Sequence, residues 1–204
     1  MPTRALPKIA ALLSALLLGA CGGAVDSDHE AELAYLGLDG AVGRALLLGM
    51  SGFNAATSAN IPQQVGDGDV AGTMTVAGQV DQGASANKGL RLTVALDGYQ
   101  DVTDVDQDED EEVVVSYTTA EAAPMSLELS LRNIPDGTFT GTFGGTATME
   151  GDLEGEVTLD LTLSGSIEED PDAAGEIRRV TGTVQVTGTA TNSGGGVYDI
   201  DLSI

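Results

Sequence analysis

Among 204 residues there is one cysteine, one histidine, no tryptophan, and only three phenylalanines and four tyrosines. Each scarcity excludes something. A single cysteine, Cys21, cannot form an internal disulfide, so the fold must hold together by packing alone. A single histidine, His29, has no Ser or Cys partner suggested nearby and reads as a solvated residue rather than a catalytic base. With aromatics at 3%, the core is expected to be aliphatic, built on Val, Leu, Ile and Met. Cations are scarce too: eight Lys and Arg stand against 32 Asp and Glu, a formal charge of −24. That balance argues against nucleic acid, because phosphate binding needs a basic patch. It predicts a soluble, self-repelling monomer that attracts cations. Nor is there a G-x-S-x-G, H-E-x-x-H, phosphate-loop or dinucleotide-binding spacing. An enzyme is not expected, and neither is a cofactor.

The N-terminal residues are of another kind. Arg4 and Lys8 precede an apolar run from Ile9 to Leu18. The run is too short to span a bilayer, which takes ~20 apolar residues. A charged start, a short apolar stretch and small residues before a cut point describe a secretory signal peptide. Here the small residues run into Cys21, and Leu18-Gly19-Ala20-Cys21 resembles the lipobox of bacterial lipoproteins. The resemblance implies cleavage before Cys21, a diacylglycerol thioether on its sulfur and an acylated new amino terminus. Two or more chains anchor stably where one is marginal, at ~0.8 kcal/mol per buried CH₂. Gly22, rather than Asp, follows the cysteine, which resembles the outer-membrane-sorted pattern. The membrane, through lipid on Cys21, is then the one partner implied. Processing would also remove Arg4 and Lys8, making the mature chain still more acidic.

The rest divides into a tether and one domain. Residues 21–29 read as the lipidated cysteine and a short polar tether, and residues 30–204 as a single β-rich domain with an N-terminal helix. Val42, Leu46, Gly49, Met50 and Phe53 recur at helical spacing, predicting a helix over residues 40–57 with a shorter one before it. Asp28 is the expected cap of the first turn. Arg44 and Asn54 interrupt the apolar run and argue against a membrane span. Gly43, Gly49 and Gly52 weaken the helix but allow close approach to a sheet.

Beyond Pro62 the period changes to two. Leu90, Leu92, Val94 and Leu96 oppose Arg91, Thr93 and Ala95. Met125, Leu127, Leu129 and Leu131 oppose Ser126, Glu128 and Ser130. The same alternation runs near residues 69–80, 113–119, 138–150, 157–167, 178–191 and 197–204. This is half-buried β alternation, broken by turns too short for crossover helices. The expected fold is mainly β: an antiparallel meander of about eight strands forming a curled sheet or barrel, with the helix on its apolar face. Gly72, Gly78, Gly141, Gly145, Gly165, Gly182 and Gly188 fall on that face and mark bends or close backbone approach. A transmembrane barrel would need aromatic girdles, and the aromatics are too few.

One acidic run remains. In DVTDVDQDEDEE, residues 101–112, Asp104, Asp106, Asp108 and Asp110 alternate like the start of a calcium loop. Counted from Asp104, the sixth residue is Glu109 where an EF-hand needs Gly, and the twelfth is Val115 where it needs Glu. An irregular Ca²⁺ loop on those four aspartates is one reading; a solvated, self-repelling hairpin tip is the other. The expected role is thus a non-enzymatic envelope lipoprotein, structural or interacting. A carrier of lipid in the concave face, resembling half-barrel lipoproteins in outline, and a calcium-binding surface module are its rivals.

Overall fold

The computed structural model describes residues 24–55, 58–82, 84–104 and 112–204. It has one helix and one large antiparallel sheet. Helix α1 (Asp28–Ala55) leads into β1 (Asn60–Asp67), β2 (Ala71–Val80) and β3 (Lys88–Gln100). Short β4 (Thr103–Asp104) and β5 (Glu112–Val113) pair only with each other. Then come β6 (Val115–Thr118), β7 (Met125–Arg132), β8 (Gly137–Gly151), β9 (Gly155–Glu169), β10 (Ile177–Arg179), β11 (Gln185–Asn192) and β12 (Val197–Ser203).

Two pairs of strands are collinear. β6 and β7 share the place between β3 and β8, and β10 and β11 both lie along β9. The sheet therefore has eight positions that follow the chain, each antiparallel to the next. The expected meander is present. Its hydrogen-bonded ladder runs from β1 to β12 with no pairing between those two ends. Yet both β1 and β12 pack on α1. A sheet whose first and last strands touch one helix must curl around it: this is an open barrel with α1 as its filling.

The helix is buried on the face that this arrangement demands. Ala31, Ala34, Tyr35, Leu38, Ala41, Val42, Ala45, Leu46 and Met50 are all within 4% exposure, at the i, i+3, i+4 spacing of one helix face. By length and composition α1 is able to cross a bilayer, but its apolar stripe lies under the sheet. At Gly49 the side chains of Leu90 and Leu92 close over the space a Cβ would take. The helix thus approaches the side chains of β3, not its backbone.

The helix boundaries differ from those expected from sequence. Among the described residues there is one helix, and it starts at Asp28 instead of near residue 40. Weak periodicity through AELAYLGLDG hid the first three turns, because small residues occupy the buried positions. Residues 24–29 are therefore not a tether: Val25 is 1% exposed and belongs to the core. The cap is Ser27, not Asp28. Ser27 Oγ accepts from the Glu30 amide at 3.3 Å, and Glu30 reaches back to accept from the Asp26 amide at 2.8 Å.

Two strand expectations and one about the core need correction as well. β1 contains Pro62, where no strand was expected. An edge strand tolerates proline, and the ladder is irregular there between Ile61 and Gln64. The expected strand over residues 178–191 is broken, with Gly182 in a turn between β10 and β11. The core is not purely aliphatic. Tyr35, Tyr99, Tyr117, Phe139 and Phe143 are among its largest fully buried side chains.

The glycine expectation is met most directly at Gly188. It sits in mid-β11 with φ +151, opposite Leu161 of β9. A Cβ there would run into the carbonyl oxygen of Asp160. Gly188→Ala is expected to lower stability by about 2 kcal/mol, from the strained backbone and the lost ladder geometry. Urea denaturation checks this, and a loss under ~0.5 kcal/mol would mean the strand relaxes freely there.

Candidate functional site

Polar side chains inside the domain gather where α1 meets the strands, and a local irregularity puts one group of them there. In β3 the buried positions run 90, 92, 94 and 96, then shift to 99 and 101. The pairing of β2 with β3 slips between Ala71 and Thr73, and Gly98 takes φ +57. This is a β-bulge with glycine in the left-handed region, and one extra residue reverses the face. Tyr99 and Asp101 consequently point toward the helix instead of into solvent.

Asp101 is only 6% exposed. Its Oδ1 accepts from the Asp69 amide at 2.8 Å, and its Oδ2 accepts from the Tyr99 hydroxyl at 2.5 Å. Arg44, on the helix, donates through Nη2 to Asp69 Oδ1 at 2.6 Å and through Nε to the Tyr99 hydroxyl at 3.2 Å. Arg44 Nη2 also lies 3.7 Å from Asp101 Oδ1. Gly40 makes room, since a Cβ on it would meet the Asp101 carboxylate. Nearer the start of the helix, Tyr117 donates to the Ala34 carbonyl at 2.9 Å.

A second group joins the helix to β10. Arg179 donates to both carboxylate oxygens of Asp39, at 2.7 and 2.8 Å, and to the Asp39 carbonyl at 2.8 Å. The Tyr35 hydroxyl donates to the same carboxylate at 2.8 Å. Between the two groups lies an open cleft of about 450 Å³, with Gly40 and Gly43 on the helix side and Arg44, Arg179, Val184 and Ile204 around it. Both arginines are committed to neighbouring carboxylates. Among the described residues every buried side-chain nitrogen and oxygen has a partner. Chemically, these groups act as two latches that hold the helix in the curl of the sheet.

The tyrosines make the latches sensitive to alkali. Burial, aided by the neighbouring carboxylates Asp39 and Asp101, raises the hydroxyl pKa values of Tyr35 and Tyr99, and burial alone raises that of Tyr117. The folded chain therefore keeps these protons to a higher pH than the unfolded chain, which releases them near the ordinary value of about 10. The tyrosine contribution to stability should be level below about pH 10 and fall above it, by up to ~1.4 kcal/mol per pH unit for each tyrosine. Urea titrations from pH 8 to 12 read this slope. Tyr117→Phe should make it shallower by about one third, and an unchanged slope would remove Tyr117 from the set.

Of the residues singled out from sequence, Cys21 lies outside the described residues. So do Asp106, Asp108 and Asp110. Asp104 is in β4, which pairs with β5. His29 is exposed in the first turn of α1, not in a tether. Among the described residues no group of three His, Cys, Asp or Glu is placed to hold a metal ion. The two latches were not foreseen. The only signal for them was Asp39 and Arg44 within an otherwise apolar helical run.

Comparison with protein-family models, with curated proteins and with solved structures finds no match for this chain.

Proposed function

We propose that the chain is an outer-membrane lipoprotein, anchored through acylated Cys21, whose β domain has a non-enzymatic structural or interaction role in the cell envelope. The observation that carries this reading over the lipid carrier is that α1 occupies the concave face of the sheet. A carrier would hold its lipid in that place. Here Tyr35, Leu38, Val42 and Leu46 fill it, and the Asp39–Arg179 pair and the Arg44–Tyr99–Asp101 hydrogen bonds hold the helix in position. The charge excess keeps such a surface soluble and favours cationic partners.

The anchor has a direct test. In a diderm bacterial host, the wild-type chain should fractionate with membranes and Cys21→Ser should be released into the soluble fraction. A Cys21→Ser protein that stays membrane-bound would overturn the lipidation reading. Mass spectrometry of the released domain separates the rivals. A co-purifying lipid mass would favour the carrier. A calcium-dependent rise in Tm, lost in Asp106→Asn with Asp108→Asn, would favour the calcium module.

A further inference from the structure

The chain becomes part of the fold almost immediately after the anchoring cysteine. Val25 is buried, and its carbonyl accepts from Asn192 Nδ2 at 2.8 Å. Two residues on, Ser27 caps the helix, and the Asp28 carboxylate accepts from the Asp199 amide of β12 at 2.9 Å. Four Cα–Cα steps separate Cys21 from Val25. Even fully extended they span at most ~14 Å.

Val25 also marks one end of the barrel. Asn192 closes β11 beside Val157, near the start of β9. In an up-and-down sheet the turns alternate between ends. The β1–β2, β8–β9 and β11–β12 turns and the β4–β5 pair therefore share the end of Val25. The β2–β3, β7–β8 and β9–β10 connections share the other. Helix α1 runs from the first end to the second, where Asn54 Nδ2 donates to the Gly175 carbonyl at 3.3 Å. Its 28 residues measure about 42 Å.

We infer that the domain stands end-on at the lipid headgroups, with the Val25 end against the bilayer and the β2–β3, β7–β8 and β9–β10 connections presented away from it. The inference rests on the proposed acylation of Cys21. Charge does not draw this end to the membrane: Asp67, Asp69, Asp152 and Glu154 lie on it, and anionic headgroups repel them over a Debye length of ~8 Å. The covalent reach sets the approach. Nor does the side of the barrel offer an alternative footing. Asp97, Glu128, Glu150, Glu156 and Asp160 are exposed along the outer face of the sheet, where the described residues form no apolar or basic strip to lay it flat.

Resonance energy transfer in proteoliposomes tests the orientation. Cys21 is the only cysteine and in the lipidated chain its sulfur is blocked as the diacylglycerol thioether, so an introduced thiol is labelled alone. Full-length acylated Ser193→Cys (β11–β12 turn) and Ala174→Cys (β9–β10 loop) would carry the same donor dye. The vesicles would be phosphatidylethanolamine and phosphatidylglycerol with a headgroup-labelled acceptor lipid. Transfer from position 193 should exceed that from position 174 by about two-fold or more, given the ~14 Å tether and the ~42 Å between ends. A ten-residue Gly-Ser insertion after Gly23 should abolish most of the difference. Equal transfer from the two sites without the insertion, or stronger transfer from position 174, overturns the end-on arrangement while leaving anchoring intact. If the unsubstituted chain fails to float with vesicles at all, acylation fails and the orientation falls with it.

Discussion

Arg179→Ala is expected to destabilise the domain by about 2–3 kcal/mol, the cost of leaving a half-buried carboxylate without its cation. The Arg179 side chain is 13% exposed and Asp39 25%, so water relieves the loss of the partner only in part. Arg179 also satisfies the Asp39 backbone carbonyl, and Asp39 would keep only the Tyr35 hydroxyl. A double-mutant cycle with Asp39→Ala isolates the pair. The double variant should be more stable than the sum of the two single losses implies, by about 1–3 kcal/mol. Arg178 provides an internal control. It bonds Glu168 at 2.6 Å, but the side chains are 47% and 39% exposed. Arg178→Ala should cost much less than Arg179→Ala, because water screens an exposed pair. Urea denaturation of the variants decides the matter. Equal losses at Arg178 and Arg179 would mean that the latch behaves as an ordinary surface pair.

The second large effect is expected at Phe143. It is 1% exposed, and its cross-strand partners on the same face are Leu127 of β7 and Leu161 of β9. Phe143→Ala should cost about 3–5 kcal/mol, from lost transfer energy and the cavity left between two leucines held by long strands. Phe53 is the comparison. It is only partly buried at the end of α1, under the Lys88 ammonium at 5.0 Å from the ring centre. Phe53→Ala should cost about 1 kcal/mol. A thermal or urea series that ranked Phe53 above Phe143 would show that stability is concentrated at the helix end of the barrel. In a chain so poor in aromatics, each one placed at the centre of the sheet carries a large share of the core.

Much of this architecture is legible in the alternation alone. Leu90 to Leu96, Met125 to Leu131 and Val157 to Leu163 show their buried face directly, because side chains in an extended chain alternate by backbone geometry. The short polar breaks between them leave only antiparallel neighbours possible. The helix was legible where bulky residues recur, from Val42 to Phe53. It was illegible from Asp28 to Asp39, where alanines lie on the buried face and the pattern loses contrast.

The sequence by itself determined the class of fold, the order of the strands and the acidity of the surface, since each follows from local periodicity, turn chemistry and composition. It also carries the lipobox pattern on which the proposed anchor stands. Tertiary structure decided the rest. The bulge at Gly98 reverses the face of β3 and turns Asp101 inward, and it arises from pairing with β2. Pro62 is admitted because β1 is an edge, which depends on where the ladder stops. Of two adjacent arginines, one is locked onto Asp39 and the other left in solvent, because only the helix lying inside the curl makes one side of β10 an interior. Such outcomes depend on partners up to 140 residues away, and no local pattern reports them.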